Sequence, residues 1–320
     1  MEFNENLTFP NQKNCNSLQK YNYVGCHIGQ IMRSEQEMLE LIVNIAKNDG
    51  RIRAVIMNGS RANPSARRDI FQDFDIVYLV TDVGPFKDDC TWINRFGEIM
   101  IMQTPEAMQD PPPRHSGSFT YLMQFADGTR IDLRLFPVAK LNELEKDSLS
   151  LLLLDKDGII EPFAPPSESD YLPRPPTAKA FSDCCNEFWW VCPYVAKGLW
   201  RQEAIYAKYM SDSVVREQLM KMLAWYVGVK TQFLRSPGKF GKHLKQYLEP
   251  ELWAMLQKTY SDAGYENTWD ALYTMCDLFR MIAGRVAEHF GFDYPHGNDE
   301  KVSAHLKHVR LLPKNATEMY

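Results

Sequence analysis

Residues 58–77 read NGSRANPSARRDIFQDFDIV. Gly59-Ser60 interrupts the chain just after an apolar run, Ile52–Met57, and after twelve further residues Asp73 and Asp75 flank Phe74 where a second run, Phe74–Val80, begins. On an extended backbone alternate side chains leave from one face, so the two carboxylates share a side, roughly 6–7 Å apart at their roots. Like charges held that close repel each other, and the pattern points to something positive between them.

Working outward, both apolar runs have the β-branched composition of buried strands. Upstream, Met38, Leu41, Ile42, Ile45 and Ala46 recur at helical spacing over 34–47, with Ser34 and Glu37 as a capping box and Asn48-Asp49-Gly50 as the stop. Downstream, 98–103 and 118–125 read as strands separated by the loop PPPRHSG, and FADGTRIDLRLFP reads as a hairpin turning at Asp127-Gly128 into a strand over 130–136. A mixed sheet flanked by helices fits residues 32–160. Residues 161–177 are dense in proline and form a linker. From 178 to 320 the chain becomes helical, aromatic and Met-rich, with helical spacing near 182–197, 200–210, 213–234, 250–260 and 267–290. The fold class is therefore α+β, a mixed-sheet domain followed by a helical bundle. Residues 1–31 are polar and lack a sustained period, as expected of a loosely held extension.

Bulk composition narrows the partners. With 41 acids against 36 Lys and Arg the net charge is −5, which gives no general reason to bind a nucleic-acid backbone. No apolar run is long enough to span a bilayer. The seven cysteines form no CxxC pair, as expected of reduced thiols in the cytoplasm. Whether the chain is a monomer or a dimer cannot be read from these features.

A glycine between strand and turn lets backbone approach a ligand closely, and the amides that follow can cradle phosphate oxygens. An ordinary turn is the alternative at Gly59-Ser60. The paired carboxylates of Asp73 and Asp75 are hard oxygen ligands suited to Mg²⁺. Asp132, in the strand Arg130–Phe136, joins them if that strand lies beside Phe74–Val80; otherwise Arg130 and Arg134, on its own face, engage it as an ion pair. Three carboxylates beside a phosphate-cradling turn match two-metal phosphoryl chemistry, with two Mg²⁺ ions and a nucleoside triphosphate. Arg61 is the best-placed arginine for phosphate contact. The GxSxG elbow that a serine hydrolase requires is missing around Ser60.

Gly59-Ser60, the Asp73-Phe74-Asp75 pair and Asp132 resemble the signature of the polymerase-β-like nucleotidyltransferase superfamily. More closely, MNGSRANP, DIFQDFDIVYLV, RIDLRLFP and FWWVCPYVAKGLWR are similar to the aminoglycoside 6-adenylyltransferases, over nearly all of the chain beyond residue 31. The resemblance implies an antibiotic-resistance transferase that moves AMP from ATP to a hydroxyl of streptomycin and releases pyrophosphate. It also implies that Gly59 and Ser60 hold phosphates and that Asp73, Asp75 and Asp132 hold magnesium. A lincosamide, another aminoglycoside or a protein hydroxyl as acceptor, or a non-catalytic nucleotide-binding protein, remain as alternatives.

A polycationic drug needs acids and flat apolar faces. Asp183, Glu187, Trp190 and Tyr194 fall at i, i+4, i+7 and i+11, one face of a helix. Packing into a core is the alternative for the aromatics, and the favourable field at a helix start is the alternative for Asp183. In the basic loop Arg235–His243, Lys242 is a candidate for the triphosphate, or simply a solvated surface lysine.

Overall fold

The computed structural model describes residues 31–110 and 117–320. The expected extension over 1–31 and the PPPRHSG loop fall outside these residues, apart from Ile31 and Gly117. The chain divides into two compact units between Asp170 and Tyr171.

In the first unit α1 (Glu35–Asn48) starts at Ser34, whose hydroxyl accepts from the Glu37 amide while the Glu37 carboxylate accepts from the Ser34 amide. Among the described residues six strands follow, with the short helix α2 (Gly84–Asp88) after the second: β1 (Ile52–Asn58), β2 (Phe74–Val80), β3 (Ile99–Gln103), β4 (Phe119–Phe125), β5 (Arg130–Pro137) and β6 (Ser150–Asp155). They form one sheet in the order β3-β4-β5-β2-β1-β6. Every neighbouring pair is antiparallel except β2 and β5, which run parallel.

Alternation sorts the two faces. Phe74, Ile76, Tyr78 and Val80 of β2 pack with Ile131, Leu133 and Leu135 of β5 against Met38, Ile42 and Ala46 of α1. The Tyr78 hydroxyl, buried in that layer, donates to the Ile42 carbonyl at 2.6 Å. The opposite face carries a smaller cluster of Ala54, Ile56, Val77, Leu79 and Phe136. By the same alternation this second face receives Asp75 and Asp132.

The second unit is helical: α3 (Ala178–Trp200), α4 (Ala204–Tyr209), α5 (Arg216–Lys230), α6 (Leu244–Tyr247), α7 (Pro250–Lys258), α8 (Tyr265–Phe290) and α9 (His296–Leu311). A π-helical stretch, Met210–Val215, joins α4 to α5. Its core lies among α3, α5 and α8, where Phe188 and Phe279 stack with ring centres 3.7 Å apart. Polar groups attach α9: the buried Asp299 accepts from Arg280 at 2.6 Å through each oxygen and from the Tyr294 hydroxyl at 2.8 Å. The five described cysteines, Cys90, Cys184, Cys185, Cys192 and Cys276, are free thiols. Among the described residues no helix is long and apolar enough to cross a membrane.

Candidate active site

Asp75 and Asp132 are Cα partners across the parallel β2–β5 pair. Strand neighbours are about 4.8 Å apart, so two residues in register place their side chains together on one face. Asp73 stands one pleat before Asp75, and Arg130 one pleat before Asp132. Arg130 forks onto Asp132, with Nε 2.8 Å from Oδ1 and a terminal nitrogen 2.9 Å from Oδ2. The same Nε lies 3.6 Å from Asp73 Oδ2. Asp132 is thus both the strand partner of Asp75 and the ion-pair partner of Arg130. Arg134 instead places its guanidinium over the Phe136 ring, 5.0 Å from the centre.

The electrostatics follow from this crowding. Burial, reinforced by the charges of Asp132 and Asp73 and only partly opposed by Arg130, pushes the Asp75 carboxyl up to about 6. Burial also raises Asp73, with Arg130 opposing and Asp132 adding to the shift. Among the described residues, Arg130 is the one guanidinium that pairs with these carboxylates.

Gly59 makes room for this arrangement. Its φ is +72°, and a Cβ there would lie inside contact distance of Asp75 Oδ2 and 3.2 Å from Asp75 Cγ. Only glycine suits both the dihedral and the approach. Its N–H donates to the Leu149 carbonyl at 2.9 Å, so it serves the site by lacking a side chain rather than by offering its amide. The 3-10 turn Gly59–Arg61 closes through the Ala62 amide on the Gly59 carbonyl, 3.1 Å, leaving the Ser60 and Arg61 amides outside that bond.

Arg61 does not reach outward, as its position beside the turn led us to expect. It is buried; its guanidinium donates to the Gln72 carbonyl at 2.7 Å and the Asp73 carbonyl at 3.1 Å, pairs with Glu35 at 3.0 Å and covers the Phe74 ring at 3.7 Å. A cation with that many partners fixes the backbone entering β2, and so the direction of Asp73.

With this geometry in place, comparison with known proteins decides the family. The model of the streptomycin adenylyltransferase family matches residues 32–309. The chain belongs to that family. Among its relatives, an aminoglycoside 6-adenylyltransferase of Bacillus subtilis (strain 168) is 41% identical over 266 residues, covering 82% of this chain and 94% of the relative. One of Campylobacter jejuni is 42% identical over 276 residues, covering 86% and 95%. One of Staphylococcus aureus is 34% identical over 266 residues, covering 82% and 94%. A crystal structure of an aminoglycoside 6-adenyltransferase from Bacillus subtilis covers 88% of this chain and 100% of its own, at 37% identity and a TM-score of 0.44. As a member of the streptomycin adenylyltransferase family the chain is an adenylyltransferase enzyme.

Adenylyl transfer calls for a divalent cation beside the triphosphate, and the acids can be tested for it. Among the described residues no three His, Cys, Asp or Glu side chains are already gathered into a metal site. Arg130 engages both oxygens of Asp132. The side chains present nevertheless fit a hard cation in their chemistry, because all three are carboxylates. Beside them the Gln72 side-chain carbonyl is buried without a partner.

In the helical unit of this adenylyltransferase the face expected on α3 is largely directed away from the core. Asp183 and Glu187 are exposed, and Trp190 is 62% exposed. Asp183 is paired with Lys179, and Tyr194 meets the Trp190 ring edge-on at 6.4 Å with Lys197 Nζ 4.7 Å from its own ring centre. Tyr194 therefore has a cation beside it already. Lys242 is exposed, in a loop where Gln232, Phe233 and Phe240 all have positive φ. One acid went unnoticed in the sequence: the charge of Asp147, on the segment leading into β6, adds to the upward shift of Asp75. Nothing in its local sequence marks it; only the pairing of β6 with β1 brings its segment close.

Proposed function

We propose that the chain transfers AMP from ATP to a hydroxyl of streptomycin by 6-O-adenylylation, releasing pyrophosphate and inactivating the antibiotic. The observation that carries this reading is the register of β2 and β5, which sets Asp132 beside Asp75 next to a turn that Gly59 keeps clear. Asp73, Asp75 and Asp132 would hold two magnesium ions. When bound, these ions offset triphosphate charge and make the acceptor hydroxyl a better nucleophile.

The protein's own contribution is alignment. The acceptor oxygen bonds to the α-phosphorus in line with the departing pyrophosphate, so the bond from α-phosphorus to the bridging oxygen breaks as the new one forms, and the hydroxyl proton passes to a carboxylate acting as general base. Ser60, with an amide outside the turn's own hydrogen bond, takes a phosphate oxygen. Arg61 keeps Asp73 in position, and Lys242 is assigned to the triphosphate as a point charge. Asp183 and Glu187 suit the guanidinium groups of streptomycin, and Trp190 and Tyr194 offer flat faces to the same drug. Such a reaction, using ATP, belongs in the cytoplasm.

The test is to incubate the full chain with ATP, Mg²⁺ and streptomycin and to measure pyrophosphate together with adenylylated drug. Drug-dependent release is expected. Release with a lincosamide or another aminoglycoside but not with streptomycin would move the acceptor, and drug binding without product would leave only a binding protein.

A further inference from the structure

Arg130 has no part in the scheme above, yet among the described residues it is the cation that pairs with these acids. It bonds both oxygens of Asp132, at 2.8 and 2.9 Å, and approaches Asp73 at 3.6 Å. Its side chain is 40% exposed, so the guanidinium sits at the surface on a long stem and can move off without leaving a charge buried. The oxygens it occupies are those a divalent ion would need from Asp132. A guanidinium only donates, and its fork takes both oxygens at once, so the two cations compete for the same lone pairs.

We propose that Arg130 is a resident counter-cation, occupying the acid cluster when no divalent ion is present and releasing Asp132 when one enters. This rests on the metal-holding role assigned to Asp73, Asp75 and Asp132. The arrangement is local to Arg130. Arg134, the same number of residues from Asp132 on the other side, lies over Phe136 instead.

The experiment measures Mn²⁺ binding to the full chain without nucleotide, from the electron paramagnetic resonance signal of free Mn²⁺. Arg130→Gln should bind Mn²⁺ about three- to tenfold more tightly, the range expected for removing a competing, half-exposed charge-assisted pair. Arg130→Lys keeps the charge but not the fork, and should lie nearer to Arg130→Gln than to the wild type. Arg134→Gln removes an equal charge from the same strand and should bind as the wild type does. Unchanged or weaker binding in Arg130→Gln overturns the inference, as does equal tightening in Arg134→Gln, which would show only a general field.

The outcomes also separate the two claims. If the wild type binds no Mn²⁺ that Asp73→Asn abolishes, the metal reading fails and this inference falls with it. If it binds such an ion and Arg130→Gln changes nothing, only Arg130's role fails. A second readout needs no tight binding: in EDTA, Arg130→Gln should unfold at a lower temperature than the wild type, and Mn²⁺ should close the gap. A gap that Mn²⁺ leaves open overturns the inference.

Discussion

Replacing Gly59 with alanine perturbs the site in two separable ways. The first is the backbone: at φ +72° an L-residue costs about 1–2 kcal/mol. The second is contact, because the new methyl group meets the Asp75 carboxylate. Asp75 cannot retreat by moving its backbone, since β2 is clamped between β5 and β1. The carboxylate must rotate away from its rotamer instead, for about another 1 kcal/mol. Together these lower stability by about 2–3 kcal/mol, a drop of roughly 5–10 °C in Tm for a unit of this size. Turnover falls further, by roughly a hundredfold, because the displaced group is one that must be aligned. The assay is a double-mutant cycle of thermal unfolding, with pyrophosphate release as the activity measure. In Asp75→Ala the contacted oxygen is gone, so Gly59→Ala should there retain only its dihedral cost, about 1 kcal/mol less than in the wild type. An equal cost in both backgrounds, or normal turnover in Gly59→Ala alone, would refute the close-approach account.

Asp75→Asn should nearly abolish turnover yet stabilise the metal-free protein at pH 7 by about 1–3 kcal/mol, measured by denaturant unfolding in EDTA. The sign follows from a folded carboxyl raised to about 6: its stability is complete below about pH 4 and is lost as pH rises through 6, a loss the amide does not suffer. Arg61→Gln should lower kcat with little effect on the KM for ATP, because it positions Asp73; a rise confined to that KM would instead show direct phosphate contact. Asp127, which accepts from Arg33 at 2.6 Å and from Thr129, is opposed by burial but held down to about 2 by those bonds. Asp127→Asn should therefore cost at most about 2 kcal/mol at pH 7, and the difference from the wild type should fade as pH drops from about 4 to about 2.

The parts readable from the sequence were those governed by local rules. A continuous apolar, β-branched run marked β2, the strand after the Asp127-Gly128 turn marked β5 to within a residue, and the Ser34–Glu37 box marked the start of α1. The short helices α2 and α6 and two longer elements, β6 and α9, escaped notice. β6 is an edge strand whose Leu151–Leu154 run does not alternate, so its apolar content says nothing about pairing. α9 reads HGNDEKVSAHLKHVRL; its buried residues are Leu306, Val309 and an aspartate, too few apolar groups to reveal a period. Within the candidate site, spacing was enough to propose that three acids meet. It could not show which way Arg61 points, because a turn sets where a side chain leaves the backbone but the neighbours at Glu35, Gln72 and Phe74 decide where it ends. Asp147 was hidden for a related reason, since its proximity depends on a strand pairing far along the chain.

The lone parallel pair in the sheet has a consequence for how the molecule assembles. Parallel strands cannot be joined by a tight turn, so residues 75 and 132 meet only after all the chain between them has looped out and returned. The encounter that brings Asp75 and Asp132 together is therefore among the slowest to form, and it drives two negative groups toward each other. Arg130 arrives on the same strand as the second of them, so the charge that eases the docking travels with the charge that resists it.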